Sequence, residues 1–300
     1  MNILVIGSEG FIGKASVSYF TNKGHEVFSA DIVENPGLKY YRISPGNHSF
    51  HDVFNLFPSL DICINASGSA NVQHSFNDTV RDFHLNTFNV LLILEAIRQV
   101  QPTCKFINLS SAAVYGNPGQ LPICETTSTV PMSPYGWHKL MSENICTEFT
   151  EQFDVPTHSL RLFSTYGEGQ KKLLFWDVYQ KILNSKTNNI ELFGTGNETR
   201  DFMHISDVIR AIESVIHNSN FDGSSINIAT GKSTSIHQAV KILVELASPA
   251  FQIRFSGNNK QGDPLNWQAD IKKLEDLGFE NKVSIEEGLK ATWKWMKNQL

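Results

Sequence analysis

Tyr135 and Lys139, in the stretch "YGWHK", stand four residues apart. On a helix that spacing puts both on one face, one turn apart. A phenol titrates near ~10 and is a poor base at neutral pH. A neighbouring ammonium, aided by a cationic nicotinamide ring, stabilises the phenolate and lowers that value. Ser110 and Ser111 end the apolar run "CKFINLSS", where a hydroxyl could meet the same substrate oxygen as Tyr135. Lys139 could also orient the nicotinamide ribose. The chemistry these groups suit is removal of a hydroxyl proton coupled to hydride transfer. A dinucleotide is implied by Gly7, Gly10 and Gly13 of "GSEGFIG", which follow an apolar run and lead into a helical pattern. Glycines there permit a tight turn and close approach of the backbone to a pyrophosphate, and the helix N-terminus supplies oriented N–H groups. Asp31 ends the next apolar run. A carboxylate there accepts ribose hydroxyls and repels a 2′-phosphate, and "DIVENPG" contains no arginine, so the expected cofactor is NAD.

These residues need a scaffold. "NILVIG", "HEVFSAD", "LKYYRI", "LDICINAS", "CKFINLSS" and "THSLRLFS" read as strands. Between them "FIGKASVSYFTNKG", "HDVFNLF", "DFHLNTFNVLLILEAIRQV" and "PYGWHKLMSENICTEFTEQF" read as helices. The alternation implies right-handed crossovers and an α/β, Rossmann-type doubly wound parallel sheet. After Gly167 the pattern becomes turn-rich. The expected organisation is a dinucleotide-binding domain over 1–166, with part of 200–229 returning to it. Residues 167–300 form mainly a smaller C-terminal substrate-binding lobe, closing a cleft beyond the carboxyl ends of the strands.

Composition narrows the partners. The 300 residues carry a formal net charge of −5 with no basic run, which disfavours nucleic acid and anionic membrane surfaces. No apolar run is long enough to span a bilayer, and "MNILVIGSEG" lacks a basic region ahead of its apolar residues, so a signal peptide is not expected. Cys63, Cys104, Cys124 and Cys146 form no CxxC pair and read as reduced core thiols. No histidine spacing suggests a metal site. The expected location is the cytoplasm.

Taken in order, the motifs resemble the extended short-chain dehydrogenase/reductase family, in particular its NAD-dependent sugar-nucleotide epimerase/dehydratase group. "GSEGFIG" is similar to GGxGFIG, "SSAAVYG" to SS(A/S)xVYG and "SPYGWHK" to SPYxxSK. "RLFSTYGEGQ" is similar to RxFNVYGPGQ, "GTGNETRDFMHISDV" to GdGxxxRDFxxVxDV, and "QGDPLNWQADIKKLEDLGF" to the late GD…AD…LG(W/F) segment. The resemblance covers nearly the whole chain. It implies Ser111, Tyr135 and Lys139 as the catalytic set. It implies Gly7, Gly10, Phe11, Ile12, Gly13, Asp31, Ala66 and Asn86 as further NAD contacts. It implies Ser111, Ser164, Arg200 and Asp263 toward a nucleotide-sugar substrate, with Arg200 on its diphosphate. The other reading of Arg200 is a surface ion pair with Asp201 or Asp207. It also implies a homodimer, through the apolar helices containing Asn86–Arg98 and Leu140, Met141 and Ile145.

The chain departs from the pattern in places. No acid precedes Asp52 in "RISPGNHSF", where the family has an aspartate for the adenine. Ser164 replaces an asparagine, and Lys260 stands near the place of an arginine before the late GD pair. Ala112 and Ala113 occupy positions that hold Asp and Glu in dehydratases of the group, and Glu at the second in decarboxylases. A methyl group transfers no proton, so elimination lacks its acid–base groups. The expected function is an epimerase acting at C4 through a keto intermediate. A reductase of keto-sugar nucleotides and a non-catalytic NAD-binding protein are the alternatives.

Overall fold

The computed structural model describes residues 1–44, 50–248, 250–258 and 261–299. In chain order the strands are β1 (Asn2–Ile6), β2 (Glu26–Asp31), β3 (Tyr40–Arg42), β4 (Ile62–Asn65), β5 (Lys105–Ser111), β6 (Thr157–Leu162), β7 (Ser164–Tyr166), β8 (Asn189–Leu192), β9 (Thr199–Arg200), β10 (Phe202–His204), β11 (Asp222–Ile228), β12 (Thr234–Ser235) and β13 (Gln252–Phe255). Seven of them form one sheet in the order β11-β6-β5-β4-β1-β2-β3. Every pairing within it is parallel.

Such a sheet is buried on both faces, which is why its strands are apolar runs rather than alternating ones. Ile3, Leu4, Val5 and Ile6 are wholly buried. Ile3 and Val5 pack with Phe20 of the Phe11–Asn22 helix and with Val208, Ile209 and Ile212 of the Ile205–Asn218 helix. Leu4 and Ile6 pack the other way, against Phe54, Ile93 and Leu94 from the Phe50–Leu56 and Asn89–Val100 helices. Each such side chain contributes about 1.5–3 kcal/mol by burial. The strand order reverses direction between β1 and β4, and there the crevice opens beyond their carboxyl ends.

A separate core of Phe175, Val178, Tyr179, Leu192, Val240, Leu243 and Leu289 holds the C-terminal helices around the parallel pair β8–β13. Between the two cores, Ala112, Tyr115, Ile123, Phe163 and Trp267 pack together and join the end of β5 to the late segment.

The structure differs from the sequence reading in the long segment before β5. One continuous helix was expected; the chain instead runs Thr79–Phe83, a π turn His84–Phe88, then Asn89–Val100. The wide turn buries Asn86 and Thr87. Thr87 Oγ1 donates to His138 O at 2.8 Å, and Asn86 Oδ1 accepts from Ser69 N at 3.1 Å, bonds that a regular α-turn does not supply. Of the cysteines, Cys63, Cys104 and Cys146 are buried and Cys124 is half-buried, so Cys124 is not a core thiol; all four are free. Among the described residues no helix is long and apolar enough to cross a membrane.

Candidate active site

The glycine loop leaves β1 at the switch point. Gly7 has φ +80, and a Cβ on it would lie 2.5 Å from Ser67 N and 2.6 Å from the Ala66 carbonyl carbon. A Cβ on Gly13 would lie 2.0 Å from Gly7 O. Both positions therefore require glycine for space, and Gly7 for conformation as well. Gly10 is the N-cap of the Phe11–Asn22 helix and supplies no side-chain cap, so the first-turn amides are left for a ligand. Asp31 at the tip of β2 is fixed by three backbone donors: Glu9 N at 2.9 Å, Ile32 N at 2.7 Å and Val33 N at 3.2 Å. Ala66 follows β4 and is half-buried. Asn86 is 1% exposed, and its Nδ2 has no partner among the described residues. A buried donor without an acceptor costs free energy unless something fills the place. The narrow glycine cradle, uncapped helix start, oriented carboxylate and free Asn86 donor fit a dinucleotide.

The second group is set by one helix. Ser133 caps Pro134–Phe153, accepting from Gly136 N at 3.1 Å, and Pro134 takes the first helical position, where no N–H is needed. Tyr135 N donates to Ser75 Oγ at 3.1 Å. A Cβ on Gly136 would stand 2.7 Å from Ala113 O, so glycine lets this helix lie against the end of β5. That approach brings Tyr135 near enough to Ser111 for the serine hydroxyl to act on the phenol, while Ser111 Oγ accepts from Ala113 N at 3.1 Å. One turn on, Lys139 Nζ donates to Leu109 O at 2.9 Å. The three residues expected to act together are together.

Their electrostatics differ from expectation. Burial pushes Tyr135 up to about 12, with Ser111 opposing and Asp82 adding to the rise. Burial pulls Lys139 down to about 8, against the charges of Asp82 and Glu143. The chain alone therefore does not lower the phenol. The ammonium is turned to a carbonyl, and desolvation outweighs the pairwise effects.

Sequence reasoning missed what lies beneath. Glu143 follows Tyr135 and Lys139 at the same four-residue spacing, which is the signal that would have found it. Ser110 Oγ donates to Glu143, and Arg161 of β6 grips it with Nη2 at 2.7 Å. Arg161 Nη1 also donates to Tyr115 Oη at 2.8 Å, and Tyr115 Oη donates to Asn227 of β11 at 2.7 Å. Ser110 is thereby spoken for, leaving Ser111 as the serine beside Tyr135. His138 Nδ1 lies 2.6 Å from buried Asp82, a second pair with no sequence-level sign.

Across the crevice, Arg200 is half-buried in β9. Its Nη1 donates to Thr199 O at 2.8 Å and Leu265 O at 3.2 Å, and its guanidinium lies 5.6 Å from the Trp267 ring centre. Burial lowers its pKa, with the charges of Asp263 and Glu198 opposing. The acids weighed as its surface partners face elsewhere. Asp201 is wholly buried and accepts from Thr230 N at 2.8 Å and Gly231 N at 2.9 Å; Asp207 is held by Arg210 and by Val283 N at 2.9 Å. Asp263 and Ser164 are half-buried, and Ser164 N donates to Asp201 O at 3.0 Å. Lys260 and residues 45–49 of "RISPGNHSF" lie outside the described residues.

A glycine cradle at the switch point of a parallel sheet, facing a serine, a tyrosine and a lysine on one wall, is the cleft of an extended short-chain dehydrogenase/reductase. The model of the NAD-dependent epimerase/dehydratase family matches residues 3–229, and the chain belongs to that family. It is an NAD-dependent enzyme. Among curated relatives, an uncharacterised UDP-glucose epimerase of Bacillus subtilis, YtcB, is 27% identical over 96% of both chains. Among solved structures, UDP-glucuronic acid 4-epimerase from Bacillus cereus, in complex with UDP-glucuronic acid and NAD, is 26% identical with a TM-score of 0.89 and full coverage of both chains. UDP-glucose 4-epimerase from Thermotoga maritima, with UDP-glucose, is 27% identical with a TM-score of 0.89, covering 100% of this chain and 99% of that one.

Proposed function

We propose that the protein is an epimerase of a nucleotide sugar, inverting the C4 carbinol through a 4-keto intermediate. The observation that carries this reading is the pair of methyl side chains, Ala112 and Ala113, beside Ser111 and Tyr135: the wall has groups for moving one hydroxyl proton and none for eliminating water. Bound NAD would supply reversible hydride acceptance at a sugar carbon and a positive charge beside the phenol. Tyr135 then takes the C4 hydroxyl proton and later returns it, while Ser111 donates to the same sugar oxygen. Lys139, one helical turn from Tyr135, would orient the nicotinamide ribose. Gly7, Gly10, Phe11, Ile12 and Gly13 would hold the pyrophosphate, Asp31 would take the adenosine ribose, and Ala66 and Asn86 would line the cofactor further along. Arg200 binds the sugar nucleotide's diphosphate, with Ser164 and Asp263 alongside. A diphosphate held by forked guanidinium donors leaves the sugar free to present either face.

In this reading residues 1–166 with β11 hold the cofactor and most of 167–300 holds the substrate. We further propose a cytoplasmic homodimer. Exposed Phe83, Phe88, Trp137 and Met141 lie on the two helical segments expected to pair across a twofold axis.

The UDP-sugars bound by the similar structures make UDP-glucose and UDP-glucuronic acid the first substrates to try. The enzyme should interconvert two UDP-sugars with catalytic NAD and no net change at the NADH absorbance band. Deuterium placed at C4 should remain at C4 of the product. Consumption of reduced cofactor mole for mole with product would instead establish a one-way reductase with the same three residues.

A further inference from the structure

The glycine loop carries a second acid. Glu9 sits between Gly7 and Gly10, and its backbone N–H donates to Asp31 Oδ2 at 2.9 Å. Its side chain is only 18% exposed and is held at both oxygens. Asn35 Nδ2 donates to Oε1 at 2.7 Å, and Lys14 Nζ lies 3.0 Å from Oε2. Asn35 belongs to the segment that follows β2, and its own Oδ1 accepts from Gly37 N at 2.9 Å, so this segment is folded against the loop. Burial opposes ionisation of Glu9, but the bonds from Asn35 and Lys14 prevail and lower its pKa. The phenol of Tyr40 reports the combined field: burial, then Asp31, then Glu9 push it up to about 12.

Space is not what guards this corner. A cavity of about 270 Å³ opens beside the loop, lined by Glu9, Lys14, Asn35, Lys39 and Tyr40 among others. The basic side chains here are already matched: Lys14 with Glu9, Lys39 with Glu26, and Arg42, the register partner of Asp31, with Glu34 at 3.2 Å. A phosphate dianion entering it would meet the fixed Glu9 carboxylate, with Asp31 held against the Glu9 backbone N–H, and cations committed elsewhere.

We propose that Glu9 is a specificity-determining residue for the cofactor, excluding the 2′-phosphorylated dinucleotide by charge in concert with Asp31. The proposal rests on the reading that Asp31 meets the adenosine ribose. It predicts that Asp31 is not the sole discriminator. Removing the Glu9 charge also frees Lys14, and both changes favour a phosphate.

Calorimetric titration of NAD⁺ and NADP⁺ into the parent, Glu9→Gln, Glu9→Asp and Asp31→Asn proteins tests this, and binding is read without turnover. Glu9→Gln should bind NADP⁺ about tenfold more tightly than the parent, the scale of one unit charge acting at short range in partly solvated surroundings. NAD⁺ affinity should stay within about threefold, because the removed charge faces a 2′ group that NAD⁺ lacks. Glu9→Asp, which keeps the charge, should retain the parent's discrimination. Unchanged NADP⁺ affinity in Glu9→Gln overturns the proposal. So does equal weakening of both nucleotides, which would mark Glu9 as a loop-shaping residue, or a gain in Glu9→Asp as large as in Glu9→Gln. If Asp31→Asn leaves discrimination unchanged, the ribose reading itself fails, an outcome separable from failure of Glu9 alone.

Discussion

Replacing Lys139 with methionine should make the nucleotide-free protein more stable and less active. Lys139 is 6% exposed, and burial draws its pKa from 10.5 down to about 8. Below pH 8 the folded chain holds an ammonium in surroundings that disfavour it, whereas the unfolded chain holds it in water. Between pH 8 and 10.5 the folded state has released a proton that the unfolded state still binds. Parent stability must therefore rise with pH across that window. The shift corresponds to a penalty of about 3 kcal/mol at neutral pH, at ~1.36 kcal/mol per unit. Methionine removes the penalty and also the Nζ bond to Leu109 O, whose loss costs about 1 kcal/mol. The net gain is about 2 kcal/mol, or a rise of about 4 °C in melting temperature at pH 7 for a chain of this size. Thermal melts of both proteins from pH 7 to 10.5 would show the gap narrowing and then reversing as the parent lysine discharges. Lys139→Met no more stable than its parent at pH 7, or a gap independent of pH, refutes the reasoning.

Tyr135→Phe should lower turnover by about 10²–10⁴-fold, the usual contribution of a general acid–base group, while NAD binding by calorimetry persists; activity within about tenfold of the parent removes Tyr135 from its role. Gly13→Ala should abolish NAD binding, because the added carbon would stand 2.0 Å from Gly7 O, and an affinity within about threefold of the parent contradicts the cradle. Trp137→Asp, at a position 47% exposed, should give a monomer by light scattering where the parent gives a dimer; a monomeric parent at micromolar concentration would show that these apolar residues serve another purpose.

The parts of the site legible in the sequence are those whose geometry is local. Tyr135 and Lys139 share a face because a helix repeats every ~3.6 residues. Gly7, Gly10 and Gly13 announce a turn between a strand and a helix, and Ser111 and Asp31 sit where strands end. The strand–helix alternation likewise carries the parallel sheet, since parallel neighbours require crossovers. Even Glu143 stood in view, at the next step of the Tyr135 and Lys139 spacing, although nothing nearby in sequence named Arg161 as its partner.

Other features depend on what lies across the fold. Tyr135 and Lys139 alone suggest mutual electrostatic support, yet burial by distant segments pushes the phenol up and the ammonium down. Asp82 and His138 are 56 residues apart and meet only because the Thr79–Phe83 helix packs on the Tyr135 helix. The π turn at His84–Phe88 is accompanied by bonds from Ser69 to Asn86 and from Thr87 to His138, partners distant in sequence. Composition and spacing determine periodic structure and the identity of reactive groups, because those are properties of neighbours along the chain. Protonation, orientation and the pairing of acids with bases belong to the tertiary structure, because desolvation and Coulomb energy depend on distances through space that the sequence does not contain.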